Sequence, residues 1–256
     1  MQAEPTQHRP VRVRIAGSGD AFGSGGQFQT CLVVDDSQGC FTIDFGATSL
    51  VALQQLGIDP AAIDLVLLSH LHGDHFGGLP FLLLHRQFAA TTARRLTLAG
   101  PPGFAARVRA LMDCMYPDLW REQWRFELDF VELAPGGTLS VLGRQVTARK
   151  VRHAAGPQDA LGLRIETDGR IIAFSGDTGW VDELLDLARG SDLFICECND
   201  RHDEGYGTHL DFDRLSQNRD RLDTRRLLLS HLGPTMVAAI AELPVEAAVF
   251  GQTLDL

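Results

Sequence analysis

A strand that runs straight into a histidine occurs twice in this chain. Leu67-Leu68-Ser69-His70-Leu71 recurs as Leu228-Leu229-Ser230-His231-Leu232. Each copy closes an apolar stretch of the kind that reads as a buried strand. A second echo pairs Thr42-Ile43-Asp44-Phe45-Gly46 with Ala173-Phe174-Ser175-Gly176-Asp177, each a strand running into an aspartate near a glycine. These echoes predict two similar strand–helix halves packed face to face, with the loops that follow the strands gathered along one edge.

The first copy continues into His70-Leu71-His72-Gly73-Asp74-His75, which puts three imidazoles and a carboxylate in six residues. Set on a loop at the end of a strand, four such side chains can be aimed at one place by a rigid scaffold. Imidazole nitrogen with carboxylate oxygen is a donor set for Zn²⁺, Mn²⁺ or Fe rather than for Ca²⁺. Four donors this close rarely all face one ion, so two adjacent ions are the natural expectation. Three later residues stand in equivalent places: His153 after the strand ending at Val151, Asp177 after Ile171–Phe174, and His231 at the second echo.

Alternation and turn signals organise the rest. Strands are expected at 11–16, Cys31–Val34, Phe41–Phe45, Ile63–Leu68, Leu96–Ala99, Phe126–Leu133, Thr138–Val141, Gln145–Val151, Leu193–Cys196 and Arg226–Leu229, with Ala247–Phe250 as the last. Leu161–Thr167 and Ile171–Phe174 form a hairpin about Asp168-Gly169. Helices are expected at Thr48–Leu56, Pro80–Ala90, Pro102–Met115, Asp182–Ala188, Phe212–Arg221 and Met236–Leu243. With 256 residues, 45% of them hydrophobic, and no linker or low-complexity tract, the chain reads as one domain over 1–256 with a large core.

No apolar run approaches the ~20 residues needed to span a bilayer, and Met1–Pro10 lacks an apolar signal core. A cytoplasmic protein without a membrane partner is expected. The five cysteines, Cys31, Cys40, Cys114, Cys196 and Cys198, show no Cys-x-x-Cys spacing and read as reduced and packed. The net charge of −10 argues against a large polyanionic partner such as nucleic acid, and the longest basic cluster, Arg219–Arg226, is interleaved with acids. The glycine-rich turn at 17–26 lacks a phosphate-loop pattern; it reads as a tight strand connection, with an anion cradle as the alternative. Tyr116, Trp120 and Trp124 lie in an irregular stretch that suits a pocket wall, the interface of a homodimer, or core packing.

The order His-x-His-x-Asp-His, His153, Asp177 in Gly-Asp-Thr and His231 in Ser-His-Leu resembles the metallo-β-lactamase superfamily, over about residues 11 to 235. The early Gly-Ser-Gly turn, Ile-Asp-Phe-Gly around Asp44 and Ser-Gly-Asp-Thr resemble its ribonuclease Z-like and phosphodiesterase-like branch. The resemblance implies an α/β (α+β) fold, a four-layer αβ/βα sandwich with two mixed β-sheets. It implies that His70, His72 and His153 hold one metal ion, that Asp74, His75 and His231 hold a second, and that Asp177 bridges both, with zinc the first choice over manganese or iron. Two divalent ions about 3.5–4 Å apart can share a water and lower its pKa so that hydroxide exists near neutral pH. Asp74 therefore counts among the catalytic groups as well as the ligands. The family pattern also gives Asp44 the task of orienting a ligand histidine through a hydrogen bond. Glu197 and His209 resemble the branch's Glu…His pair, in which the histidine protonates a leaving oxygen and the glutamate holds its tautomer. His8, His85 and His202 match nothing in the pattern and read as structural or surface residues.

Relatives of this fold act on several substrate classes, so the fold does not choose the reaction. Only 23 residues separate His153 from Asp177, and the hairpin fills them, which leaves no segment for the long tRNA-binding arm of ribonuclease Z. Hydrolysis of a small phosphodiester or cyclic phosphate is the first expectation. A carboxylic ester, thioester or lactone hydrolase is the alternative. A tRNA 3′-processing endonuclease and a noncatalytic metal- or cofactor-binding protein come after it.

Overall fold

In the computed structural model, which describes residues 10–91, 94–202 and 207–256, two mixed sheets pack face to face. The first is built from β1 (Arg12–Gly17), β2 (Cys31–Asp35), β3 (Cys40–Ile43), β4 (Ile63–Leu67), β5 (Leu96–Gly100) and β6 (Leu128–Glu132). The second holds β7 (Thr138–Val141), β8 (Arg144–Lys150), β9 (Leu161–Thr167), β10 (Arg170–Phe174), β11 (Leu193–Glu197), β12 (Leu227–Ser230) and β13 (Glu246–Ala247). The chain then crosses back, and β14 (Thr253–Asp255) pairs antiparallel with β1 at the outer edge of the first sheet. In each half an antiparallel run gives way to parallel strands, β3 to β6 in one and β10 to β13 in the other.

The strands follow from their side-chain periods. In β1 the alternation sends Val13 and Ile15 inward, while Arg12 and Arg14 reach Asp255 and Asp35 at 2.7 and 2.6 Å outside. Apart from Asp64 and Glu197, the parallel strands β4 and β11 are apolar on both faces because each is sandwiched between the other sheet and a helical layer. The inner core interleaves Ile15, Phe41, Ile43 and Leu67 of the first sheet with Val146, Leu163, Phe174 and Ile195 of the second. Outside the first sheet lie α1 (Ser49–Gln55), α2 (Gly73–Phe76), α3 (Leu79–Leu84) and α4 (Phe104–Met115); outside the second lie α5 (Glu183–Ala188), α6 (Phe212–Asn218) and α7 (Pro234–Ala239). The result is the expected four-layer sandwich.

At the edge away from the strand ends that carry the histidines, ionic contacts lock the two sheets together. Arg144 of β8 is fully buried. It grips Asp36 through two nitrogens at 2.7 and 2.9 Å, reaches Asp64 at 3.0 Å and lies over the Phe41 ring. Thr167 donates to the same Asp36 carboxylate at 2.8 Å. Burial alone would raise the Asp36 carboxyl, but Arg144 and Thr167 outweigh it and hold it below its ordinary value. The hairpin turn adds a second clamp. Asp168 and Gly169 both take positive φ, as the turn type requires, and the Asp168 carboxylate accepts from Ser37 N–H and Oγ–H at 2.7 and 2.6 Å.

Several elements differ from expectation. The strand expected at Ala247–Phe250 is not there: β13 is two residues long, Val249 and Phe250 are exposed, and Gly251 at positive φ turns the chain toward β14, which the sequence pattern missed because only Leu254 of its three residues is buried. The helix expected at Pro80–Ala90 is α up to Leu84 and a wider π-turn from His85 to Ala89. The strand expected to reach Phe45 stops at Ile43, because Asp44 turns to positive φ. Four of the five cysteines are buried as expected, but Cys114 is exposed on α4. Tyr116, Trp120 and Trp124 are partly buried against the layer outside the first sheet, with Trp120 and Trp124 edge-on at 5.5 Å and Arg109 over Trp120. His85 sits in the π-turn and His202 pairs with Asp213 at 3.0 Å, while His8 lies outside the described residues. Within the basic cluster Arg221, Arg225 and Arg226 are paired with Asp182, Asp192 and Glu246. No helix among the described residues is long and apolar enough to cross a membrane.

Removing the Arg144 side chain leaves two carboxylates facing each other without their cation. Arg144→Met is expected to lower unfolding stability by about 3–5 kcal/mol, read from urea denaturation. Combining it with Asp36→Asn and Asp64→Asn should recover most of that loss. An unchanged midpoint in the single variant would show that the clamp contributes nothing.

Candidate metal centre

Seven donors converge where the strand ends of the two sheets meet. β4 closes at Leu67 and the chain runs on through His70 to His72, the extended residue that precedes α2. The carbonyl of His72 accepts from His75 and Phe76 N–H, both at 3.0 Å. This single helical turn, unforeseen in the sequence, swings Asp74 and His75 round to the side that His70 and His72 face. The turn is seated by Phe45 N–H, which donates to the His75 carbonyl at 2.6 Å. It also packs so closely on Gly46 that a side chain there would strike the Asp74 carbonyl. From the second sheet come His153 after β8, Asp177 after β10 and His231 after β12.

Asp44 organises the first sheet's donors. It is fully buried. Its carboxylate accepts from Ser69 N–H and Oγ–H at 2.7 Å each and from His75 Nδ1 at 2.7 Å. With its proton on Nδ1, His75 keeps a lone pair on Nε2. Because Ser69 Oγ–H points at Asp44, that oxygen is free to accept from His70 Nδ1 at 3.1 Å, so His70 also keeps its lone pair on Nε2. His153 Nδ1 donates to the Thr208 carbonyl at 2.9 Å and frees its Nε2 in the same way.

The freed atoms meet. His70, His72 and His153 form one group of donors, and Asp74, His75, Asp177 and His231 form another. Asp177 lies between them: its Oδ1 is 3.2 Å from His75 Nε2, and its Oδ2 is 3.2 Å from His231 Nε2, 3.7 Å from His70 Nε2 and 3.9 Å from His153 Nε2. Asp74 Oδ2 is 3.3 Å from His75 Nε2 and 3.2 Å from His231 Nε2. Neighbouring ligand atoms around an ion bound at about 2.0–2.2 Å stand roughly 3.0–3.6 Å apart, so these separations suit a metal. His70 Nε2, His75 Nε2 and Asp177 Oδ1 are moreover buried with no hydrogen-bond partner. Such atoms are costly to leave unpaired, and a cation would satisfy all three.

The electrostatics point the same way. Burial holds the His70 imidazole well below its ordinary value, and the neighbouring histidines add to it, so it is neutral. Burial disfavours charge on Asp177 as well, yet His231 and His75 outweigh it and keep the carboxyl well below its ordinary range. Burial would likewise raise Asp74, but hydrogen bonds from His231 and His75 overcome it and the group stays ionised. His75 is pulled upward, against burial, by Asp177 and Asp44. Buried carboxylates are drawing positive charge onto an imidazole that a bound cation would supply instead.

Beside this cluster, Glu197 and His209 come together as the sequence suggested. Glu197 is buried at the end of β11 and accepts from Thr178 N–H and from His209 Nδ1, the latter at 3.0 Å. The His209 ring lies 4.8 Å from the His153 ring and stacks on His231 at 5.3 Å. Burial opposes the His209 cation, but the hydrogen bond and charge of Glu197 outweigh it and lift the imidazole to about 9. The sequence reading missed Asn199, whose amide lies 3.3 Å from His231 Nδ1, and Thr208, which acts through its carbonyl. Asn199 lies two residues beyond Glu197, the last residue of β11, and so close to a residue the sequence had singled out; a backbone carbonyl leaves no such signal. The glycine-rich turn is a tight connection: the Asp20 carboxylate takes the N–H groups of Phe22 and Ser24 for itself.

Comparison with known proteins adds the following. Residues 42–232 match the family model described as the beta-lactamase superfamily domain. An uncharacterised protein of Mycobacterium leprae is 33% identical, across 96% of this chain and 89% of its own. A ribonuclease Z of Lachnoclostridium phytofermentans is 26% identical, across 82% of this chain and 84% of its own. Among solved structures, the metallo-β-lactamase fold protein YhfI of Bacillus subtilis superposes with a TM-score of 0.74 at 20% identity, covering 96% of this chain and all of the other.

Asp44 touches none of the convergent nitrogens, yet it fixes two of the histidines that carry them. Asp44→Ala is expected to weaken metal binding by about 10–100-fold, measured by competition with a chromophoric chelator, while circular dichroism reports an intact fold. Affinity equal to the parent's would show that Asp44 has no part in preparing the donors.

Proposed function

The chain belongs to the metallo-β-lactamase superfamily, in its ribonuclease Z-like branch, and we propose that it is a phosphodiesterase acting on a small phosphodiester or cyclic phosphate. The observation that carries this reading is the Glu197–His209 pair set against the donor cluster. Its support is the cleavage chemistry named for the ribonuclease Z relative.

His70, His72 and His153 would hold one divalent ion and Asp74, His75 and His231 a second, zinc being the first choice, with Asp177 shared between them. Ions held there supply an acidified water and take up charge developing on the attacked centre. The chain's own residues do the rest. Asp44 and Ser69 hold the Nδ1 protons of His75 and His70, so that Nε2 is the ring nitrogen each turns toward the centre. Glu197 holds the His209 proton on Nδ1 and leaves Nε2 as the nitrogen that meets a substrate oxygen. Because Glu197 stabilises the imidazolium, His209 can carry a second proton at neutral pH and deliver it from Nε2 to the departing alkoxide. The imidazolium it starts from is then restored by solvent, since its side chain is one-third exposed.

A small substrate fits this chain better than a large one. Most of the segment between His153 and Asp177 is β9, β10 and their tight turn, and the net charge of −10 disfavours a nucleic-acid backbone as partner.

Metal analysis of protein purified without chelator should approach two equivalents per chain. Asp177→Ala should lose metal and turnover together while staying folded; a variant that keeps both ions and full activity would overturn the shared-carboxylate assignment.

His209→Ala should slow an alkyl or cyclic phosphodiester by roughly 10²–10⁴-fold, the usual range for acid catalysis. An activated aryl phosphodiester, whose leaving group needs no proton, should suffer far less, with metal content unchanged. Equal losses on both would assign His209 to binding or structure. Brisk cleavage of a lactone or thioester beside no phosphodiesterase activity would move the reaction to a carbonyl centre.

A further inference from the structure

Gly179 is buried, and its φ is not in the left-handed range, so its conformation alone does not call for glycine. Space does. A Cβ on Gly179 would strike the carbonyl carbon and oxygen of Gly207, which are backbone and cannot swing aside as the end of a side chain could. Here the strap Gly207–His209, on its way into α6, lies directly on the loop that follows β10.

The loop beneath the strap is firmly held. Gly179 N–H donates to the Arg152 carbonyl at 3.0 Å. Thr178 Oγ accepts from Arg152 N–H at 3.0 Å and donates to the Gly179 carbonyl at 2.6 Å. Thr178 N–H donates to Glu197, and Arg152 Nη2 donates to the Trp180 carbonyl at 2.9 Å. The loop is thereby tied to the residue before His153 and to the end of β11. The strap on top of it has two tasks, carried by consecutive residues. The Thr208 carbonyl accepts from His153 Nδ1 at 2.9 Å and so turns Nε2 of a metal donor inward. His209 Nδ1 donates to Glu197 at 3.0 Å, and its ring stacks on His231. Both contacts depend on how closely the strap lies on the loop. A methyl group at the crossing would lift them together.

We infer that Gly179 is a positioning residue: its missing side chain seats the strap, and this one seat sets both the leaving-group acid His209 and the metal donor His153. The inference rests on the reading of His209 and of the metal donors given above. The link runs in both directions. An ion that fixes His153 also steadies the Thr208 carbonyl and, one residue on, His209. Loading of the first metal position and readiness of the acid are coupled through a backbone carbonyl.

The test compares the parent with Gly179→Ala on an alkyl and on an activated aryl phosphodiester. Misplacing a catalytic group by about 1 Å can cost around 10²-fold, so Gly179→Ala should slow the alkyl substrate by about that factor and the aryl substrate far less. Competition with a chromophoric chelator should show one of the two ions held about 10–100-fold more weakly, the other as in the parent. With metal saturating, Gly179→Ala combined with His209→Ala should be no slower on the alkyl substrate than His209→Ala alone. A general loosening of the fold would not give that non-additivity. Equal loss on the two substrates, additive losses in the double variant, or parent-like affinity for both ions would each overturn the shared seat. A further measurement needs no variant. Zinc added to the parent should slow amide hydrogen exchange in the peptide covering residues 207–211, and unchanged exchange there would overturn the coupling. If the parent cleaves neither substrate, the phosphodiesterase reading falls, while chelator competition and hydrogen exchange still decide the role of Gly179.

Discussion

The metal centre exists only because two sheets are held in one register. His70, His72, Asp74 and His75 belong to the first sheet, while His153, Asp177 and His231 belong to the second. A metal tolerates misplacement of its ligand atoms by only a few tenths of an ångström, so sliding one sheet on the other by a fraction of a strand residue would dismantle the site. Two features resist that slide. The inner core interdigitates large side chains from both faces, and close packing transmits displacement instead of absorbing it. At the far edge the buried Arg144 and the Asp168 turn pin β8 and β9 to the start of β3 and β4. The chemistry is placed at one end of the sandwich and much of the polar fastening at the other.

The centre is also where the fold works against itself. Asp44, Asp74, Asp177 and Glu197 are all nearly or fully buried within one small region. Carboxylates removed from water are destabilising unless they are paired, and here most of their partners are imidazoles whose charge burial opposes and the carboxylates themselves restore. The unpaired atoms on His70, His75 and Asp177 mark the places where the pairing is incomplete. A cation bound at these atoms therefore contributes to the stability of the folded state as well as to reactivity. The donors are ready before it arrives, because Ser69, Asp44 and the Thr208 carbonyl have already chosen which ring nitrogen carries the proton.

Much of this arrangement could be read from the sequence, for a physical reason. A strand followed by a histidine or an aspartate is a local pattern, and in parallel strands of one sheet such ends fall along one edge. That is why His70, His153, Asp177 and His231 could be named before any coordinates, and why the two Leu-Leu-Ser-His-Leu copies predicted two facing halves. The features that escaped are not local. The helical turn Gly73–Phe76 is too short to show a period and is set by contacts with Phe45 and Gly46. The positive φ of Asp44, which ends β3 early, is the cost of turning its carboxylate toward Ser69 and His75. β14 has one buried residue in three and exists by pairing with β1, almost the whole chain away. Asn199 was visible as a neighbour of Glu197 but had no assigned partner until β11 and β12 were seen side by side.

The two halves use one device to different ends. In each, a buried carboxylate holds the Nδ1 proton of a histidine: Asp44 for His75 at 2.7 Å and Glu197 for His209 at 3.0 Å. In both pairs the carboxylate raises the basicity of the far nitrogen. What differs is where that nitrogen finds itself. The His75 ring is wholly buried, with Asp74 and Asp177 within 3.3 Å of its Nε2, so the added basicity can strengthen only a bond to an ion. The His209 side chain is one-third exposed and meets the cluster through ring faces on His153 and His231, so its Nε2 can exchange protons with water and with whatever lies over the centre. Burial, more than residue type or hydrogen-bond partner, separates a histidine suited to binding metal from one suited to moving a proton.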